Sequence, residues 1–214
     1  MFCAMEAVSM RRLPGRPLAL PNLLTYARIA AVPLVVGCLF ADSFLGGGMW
    51  LRWVAVGLFI AAAITDFFDG YLARSLAQQS SLGRMLDPIA DKLLVSSCLL
   101  MLAADGTIMG WSLWAAVVIL CREILVSGLR EYLAELRVSV PVTRLAKWKT
   151  TVQLIAIGFL LAGRAGDAAM IDLGLARVPA VTWFGLMLLW ISAIVTLYTG
   201  YDYFRAGIRH LIEE

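Results

Sequence analysis

Asp66-Phe67-Phe68-Asp69-Gly70-Tyr71-Leu72-Ala73-Arg74, then eight residues, then Gly83-Arg84-Met85-Leu86-Asp87-Pro88-Ile89-Ala90-Asp91 is the stretch whose reading decides the fold. It sets four carboxylates against two strongly apolar runs. Asp66 and Asp69 are three residues apart and Asp87 and Asp91 four apart, so each pair falls on one face of a helix. The run that carries the first pair starts near Trp50, and at roughly 1.5 Å per residue Asp66 and Asp69 come at its far end. The short link 75–82 turns the chain round, which returns Asp87 and Asp91 to the same depth. Four acids are therefore expected to converge.

Outward from that stretch, the 214 residues are 61% hydrophobic and 15% charged. A soluble domain has an apolar share of roughly 45–50%, so the composition excludes one and predicts a bilayer protein. Apolar runs at Leu23 to Ala41, Met49 to Leu72, Met85 to Ala104, Ile108 to Leu129, Leu145 to Ala162 and Val178 to Tyr201 each approach the length of a span. The expected fold is all-α and polytopic: one membrane domain over 1–214 with six transmembrane helices and a polar, cytoplasm-facing cavity. Residues 1–20 are expected to form a cytoplasmic or interfacial segment, either a short amphipathic stretch whose Arg11, Arg12 and Arg16 suit an anionic leaflet or a disordered tail. The run after Arg28 continues to Phe40 without a small-residue cleavage site, so the first span is expected to stay.

Six spans put both termini on one side. With that side cytoplasmic, fifteen of the eighteen Lys and Arg residues are inside, and only Arg52, Arg164 and Arg177 are outside. This positive-inside bias predicts a multi-pass protein of a bacterial inner membrane with both ends and the four acids facing the cytoplasm. Trp50, Trp53, Trp111 and Trp183 fit an interfacial belt. Cys3, Cys38, Cys98 and Cys121 contain no CxxC pair and read as small hydrophobes. Gly163 to Arg177 is expected to be the longest outer connection. Nothing marks a nucleic-acid partner.

Like charges at this spacing repel. Arg74, Arg84 and Lys92 offset part of the repulsion, and solvated interfacial acids paired with those bases remain one reading. Bound cations are the other: hard carboxylate oxygens suit Mg²⁺ or Mn²⁺, and two such ions stabilise the attacking and leaving oxygens of a phosphoryl transfer. Gly70, Ala73 and Gly83 leave the backbone near the acids uncovered, for a flat ligand or a close helix neighbour, and Arg74 is placed to neutralise a phosphate.

The string Asp66-x-x-Asp69-Gly70-x-x-Ala73-Arg74, eight residues, Gly83-x-x-x-Asp87-x-x-x-Asp91 resembles in full the signature of the CDP-alcohol phosphotransferase family. That resemblance implies six spans with the motif across the second and third, a homodimer, and a site of two divalent ions, Mg²⁺ or Mn²⁺, ligated by Asp66, Asp69, Asp87 and Asp91. It implies that Asp91 is also the catalytic base, and that Gly70, Ala73, Arg74, Gly83 and Ser80 contact CDP-diacylglycerol. Pro21-Asn22-Leu23-Leu24-Thr25 resembles the family's start of the first span, where Asn22 and Thr25 approach the nucleotide; helix capping is the alternative use of both.

The segments around Arg122, around Arg130 and from Lys147 to Gln153 are similar to those of the phosphatidylglycerophosphate synthase branch. Arg122, Arg130, Lys147 and Lys149 make a cationic cluster suited to a phosphate monoester such as sn-glycerol 3-phosphate, although positive-inside anchoring also accounts for such bases. The resemblance implies transfer of a phosphatidyl group from CDP-diacylglycerol to that acceptor, with CMP leaving. Cardiolipin, phosphatidylinositol-phosphate and phosphatidylserine synthases are the neighbouring alternatives. An ion transporter would use intramembrane acids differently, carrying its relay to the bilayer middle.

Overall fold

The computed structural model describes residues 20–76, 81–136, 144–172 and 179–212, and it is all-helical there. Six helices follow one another: α1 (Leu20–Phe44), α2 (Trp50–Leu76), α3 (Ser81–Ala104), α4 (Ser112–Glu135), α5 (Arg144–Asp172) and α6 (Ala180–Ile212). Leu-, Ile-, Val- and Ala-rich runs without a water-facing polar stripe can satisfy their backbone polar groups in a bilayer only as helices, which is why the apolar runs and the helices coincide.

The large hydrophobic side chains lie on both surfaces of these helices. Val35, Leu39, Phe59, Leu94, Leu99, Ile157, Leu160 and Leu189 are sealed in one continuous core, while Leu34, Ile60, Leu100, Leu125, Trp190 and Leu197 stand exposed on the outside. An apolar exterior of this extent suits lipid. Trp50, Trp53, Trp111 and Trp183 are all exposed and gather at one end of the bundle, at the starts of α2, α4 and α6.

Among the described residues four segments are long and apolar enough to cross a membrane: Asn22–Phe44, Ser112–Ala134, Trp148–Asp172 and Ala180–Arg205. The chain is a multi-pass membrane protein. α3 is interrupted by charge, carrying Arg84, Asp87, Asp91 and Lys92 in its first half. The residues that make the motif are those that dilute the apolar run.

α1 packs against both α2 and α3, α5 against α2 and α6, and α4 against α6, with lighter contacts from α3 to α4 and α5. The six helices thus close into a ring. α1 thus touches both helices that carry the halves of the motif.

α5 is longer than the fifth apolar run. At Gly163 the backbone turns to φ 28°, ψ −115°, a conformation that costs a glycine little, and helix resumes as far as Asp172. The expected outer connection from Gly163 to Arg177 is therefore helical over its first ten residues. α6 likewise runs past Tyr201 to Ile212. The amino-terminal segment 1–19 lies outside the described residues.

Candidate active site

Every helix sends a polar group to the end of the bundle where α1 begins. α1 contributes Asn22, Thr25 and Arg28, spaced three apart on one face and all buried in the first half of a largely apolar helix. Arg28 is the unexpected member. Its Nη1 lies 2.7 Å from Asp66 Oδ1 on α2 and 3.0 Å from Asp87 Oδ1 on α3, so one nitrogen bridges the two halves of the motif. The guanidinium side chain is fully buried, whereas the Asp66 and Asp87 side chains keep 35% and 32% of their surface. The carboxylates are thus gripped from the protein side and open on the other.

Asp91, one turn beyond Asp87, has Asp66, Glu123, Arg28 and Asp87 as its electrostatic neighbours. Pro88 supplies no N–H to the helix ladder in the turn that carries both acids, which loosens the backbone there. Three of the four acids therefore share one locality. Asp69, Gly70, Ala73, Arg74 and Lys147 sit on α2 and α5, but their side chains lie outside the described residues, as does the whole of Ser80. Among the described residues no three acidic, histidine or cysteine side chains are drawn to a common metal-holding point. The donor chemistry still fits divalent ions: two carboxylates already share one cationic nitrogen and present their remaining oxygens to the open side. Gly83 is buried at the start of α3.

The basic residues divide. Lys149 on α5 is buried and forms an ion pair and hydrogen bond with Glu123 Oε1 on α4. Arg122 lies 3.7 Å from the same carboxylate, and its Nη2 donates to Thr199 Oγ1 on α6 at 3.3 Å. Gly200 makes room for it, because a Cβ there would stand 2.9 Å from Arg122 Cγ. Lys149 also lies within electrostatic range of Arg122 and Asp91, which sets the basic residues near the acids. Arg130 belongs to the rim of the basic network: its guanidinium stands over the Tyr203 ring, 5.8 Å from the centroid. Lys92, expected to offset the aspartates, instead donates to Ser127 Oγ and ties α3 to α4. Buried beside the network, Gln153 Oε1, Arg122 Nε and Thr196 Oγ1 have hydrogen-bonding capacity that no protein group uses.

Two members were not singled out from the sequence. Arg28 was read only as one of many inner cations, although its spacing from Asn22 and Thr25 places it on their buried face. Glu123 follows Arg122 in the sequence, and an acid inside an apolar run is the signal that marks it.

Comparison with known proteins places this arrangement. A family model described as CDP-alcohol phosphatidyltransferase matches residues 18–198. The chain is 40% identical to a CDP-diacylglycerol–glycerol-3-phosphate 3-phosphatidyltransferase of Cereibacter sphaeroides, over 92% of this chain and 98% of that protein. It is 46% identical to the protein of the same description from Rickettsia bellii, over 87% and 94%. A cardiolipin synthase (CMP-forming) from Oryza sativa subsp. japonica is 35% identical over 94% of this chain and 60% of its own length.

Proposed function

This chain belongs to the CDP-alcohol phosphatidyltransferase family, a family of transferases, and from that premise we propose that it transfers the phosphatidyl group of CDP-diacylglycerol to sn-glycerol 3-phosphate, releasing CMP. The observation that carries the choice of acceptor is the nearness of Lys149, Glu123 and Arg122 to Asp91. A phosphate monoester held by the cations would bring its far hydroxyl toward the carboxylate that must take the proton. The likeness to bacterial enzymes named for glycerol 3-phosphate supports the same acceptor.

Asp66, Asp69, Asp87 and Asp91 would hold two divalent ions, Mg²⁺ or Mn²⁺, which when bound neutralise the diphosphate. Asn22, Thr25, Gly70, Ala73, Arg74, Ser80 and Gly83 would accommodate the cytidine diphosphate. Asp91 accepts the proton of the acceptor's C1 hydroxyl. The oxygen so freed bonds to the phosphorus that bears diacylglycerol, and the bond from that phosphorus to the oxygen of the departing CMP breaks. Positioning and charge neutralisation carry most of such a transfer.

In this reading α2 and α3 also cross the bilayer, giving six spans, and the site opens to the cytoplasmic side of a bacterial inner membrane in a homodimer. The acyl chains of the donor can then stay in the leaflet.

The reading is tested by CMP release from the purified chain in detergent with Mg²⁺ and CDP-diacylglycerol. Glycerol 3-phosphate should support release; phosphatidylglycerol or serine succeeding where it fails would overturn the acceptor. Lys149→Gln is expected to raise KM for glycerol 3-phosphate about tenfold or more, since a hydrogen bond to a charged group contributes about 1.5–3 kcal/mol. The same variant should leave KM for CDP-diacylglycerol near that of the unaltered chain, and steady-state titration of each substrate separates the two.

A further inference from the structure

Arg28 is used by none of the steps above, yet it is the most completely buried charge at the site and touches two of its carboxylates. Among the described residues α2 and α3 are not closely packed on each other. α1 packs on both, and Arg28 is the polar group of α1 that reaches across. Its side chain is sealed while each carboxylate it touches remains about a third open.

We infer that Arg28 is a positioning residue for the divalent ions: its guanidinium fixes the Asp66 and Asp87 carboxylates at one separation and orientation. This inference rests on the two-metal reading of the aspartates. A residue that orients ligand carboxylates from behind acts on metal affinity by about 10–100-fold when removed. Such a group also offsets the repulsion that would drive the two acids apart.

The opposite role is physically distinct. A guanidinium that merely occupied the ions' place would compete with them, and its removal would tighten metal binding. The sign of the change therefore decides.

The test is Mn²⁺ binding to the purified full chain in detergent, read from the loss of the free-ion EPR signal without any substrate. Arg28→Gln is expected to weaken Mn²⁺ binding about tenfold or more. Unchanged or tighter binding in that variant overturns the inference. Should Arg28→Gln elute as aggregate, Arg28→Lys decides: it keeps a buried cation for folding, but its ammonium ends one bond short of the Nη1 position. About threefold weaker binding is then expected from the displaced donor, and affinity equal to or above that of the unaltered chain overturns the inference. The unaltered chain separates the two claims. If it binds no Mn²⁺, the two-metal reading fails and takes this inference with it. If it binds Mn²⁺ and the Arg28 variants bind as tightly, the inference alone fails.

Discussion

Asp91→Asn is expected to lower turnover about a thousandfold while the protein remains folded and monodisperse, a loss within the range for removal of a positioned general base. The amide has nearly the shape of the carboxylate, so packing on α3 is preserved while the charge that accepts the proton and helps to hold an ion is lost. Asp91 is the acid with electrostatic neighbours in both parts of the site, Asp66 and Asp87 among the acids and Glu123 and Lys149 beside the bases. That placement distinguishes it from Asp66 and Asp87, whose shared contact is Arg28. CMP release under saturating substrates measures the effect. Raising Mg²⁺ should recover little of it, because excess metal repairs a weakened ligand and cannot replace a base. Near-normal turnover, or full recovery at high Mg²⁺, would remove Asp91 from the role of base.

A second large effect is expected far from the chemistry. Arg52→Leu should destabilise the fold by about 3 kcal/mol. Arg52 is fully buried at the opposite end of the bundle and ties three helices together. Its Nε donates to the Leu161 carbonyl at 3.0 Å, just before the turn at Gly163, and its Nη1 to Asp42 Oδ2 at 3.4 Å. Its Nη2 donates to Asp105 and, at 3.0 Å, to Thr107 Oγ1. Removing it strands Asp105, whose side chain is only 1% exposed.

Breaking a buried ion pair from one side costs about 3–5 kcal/mol. The lower end applies here because Asp105 keeps two other partners, the Thr107 N–H at 2.8 Å and Arg164 at 3.6 Å. Thermal unfolding in detergent measures the loss. The double variant Arg52→Leu/Asp105→Asn should recover part of it, since the most deeply buried carboxylate is then neutral and only Asp42, 10% exposed, is left without Arg52. Both variants should retain the substrate KM values of the unaltered chain in their folded fraction. A melting temperature unaffected by Arg52→Leu would mean that the network contributes nothing to stability.

The parts of the site legible in the sequence are those that local spacing encodes. Intervals of three and four put Asp66 with Asp69 and Asp87 with Asp91, and the apolar runs mark the helices that carry them. Glu123 and Arg28 were illegible as partners because each is one charge in an apolar run, and periodicity names no partner for a lone charge. The basic cluster was half legible. Arg122 and Lys149 do meet at Glu123, whereas Arg130 turns to Tyr203 on α6, a ring that no spacing rule connects to it.

By itself the sequence determined that this is an all-helical membrane protein with two acid pairs on helix faces, because hydropathy, run length and i, i+3 or i, i+4 spacing act within single helices. Only the tertiary structure decided that α1 mediates between α2 and α3, that Arg28 meets Asp87 across 59 residues, and that Lys149 joins Glu123 beside Asp91. Those contacts depend on which helices become neighbours in the ring. In a bilayer every apolar face is equally content against lipid, so helix order is set by packing and by the few buried charges rather than by hydropathy.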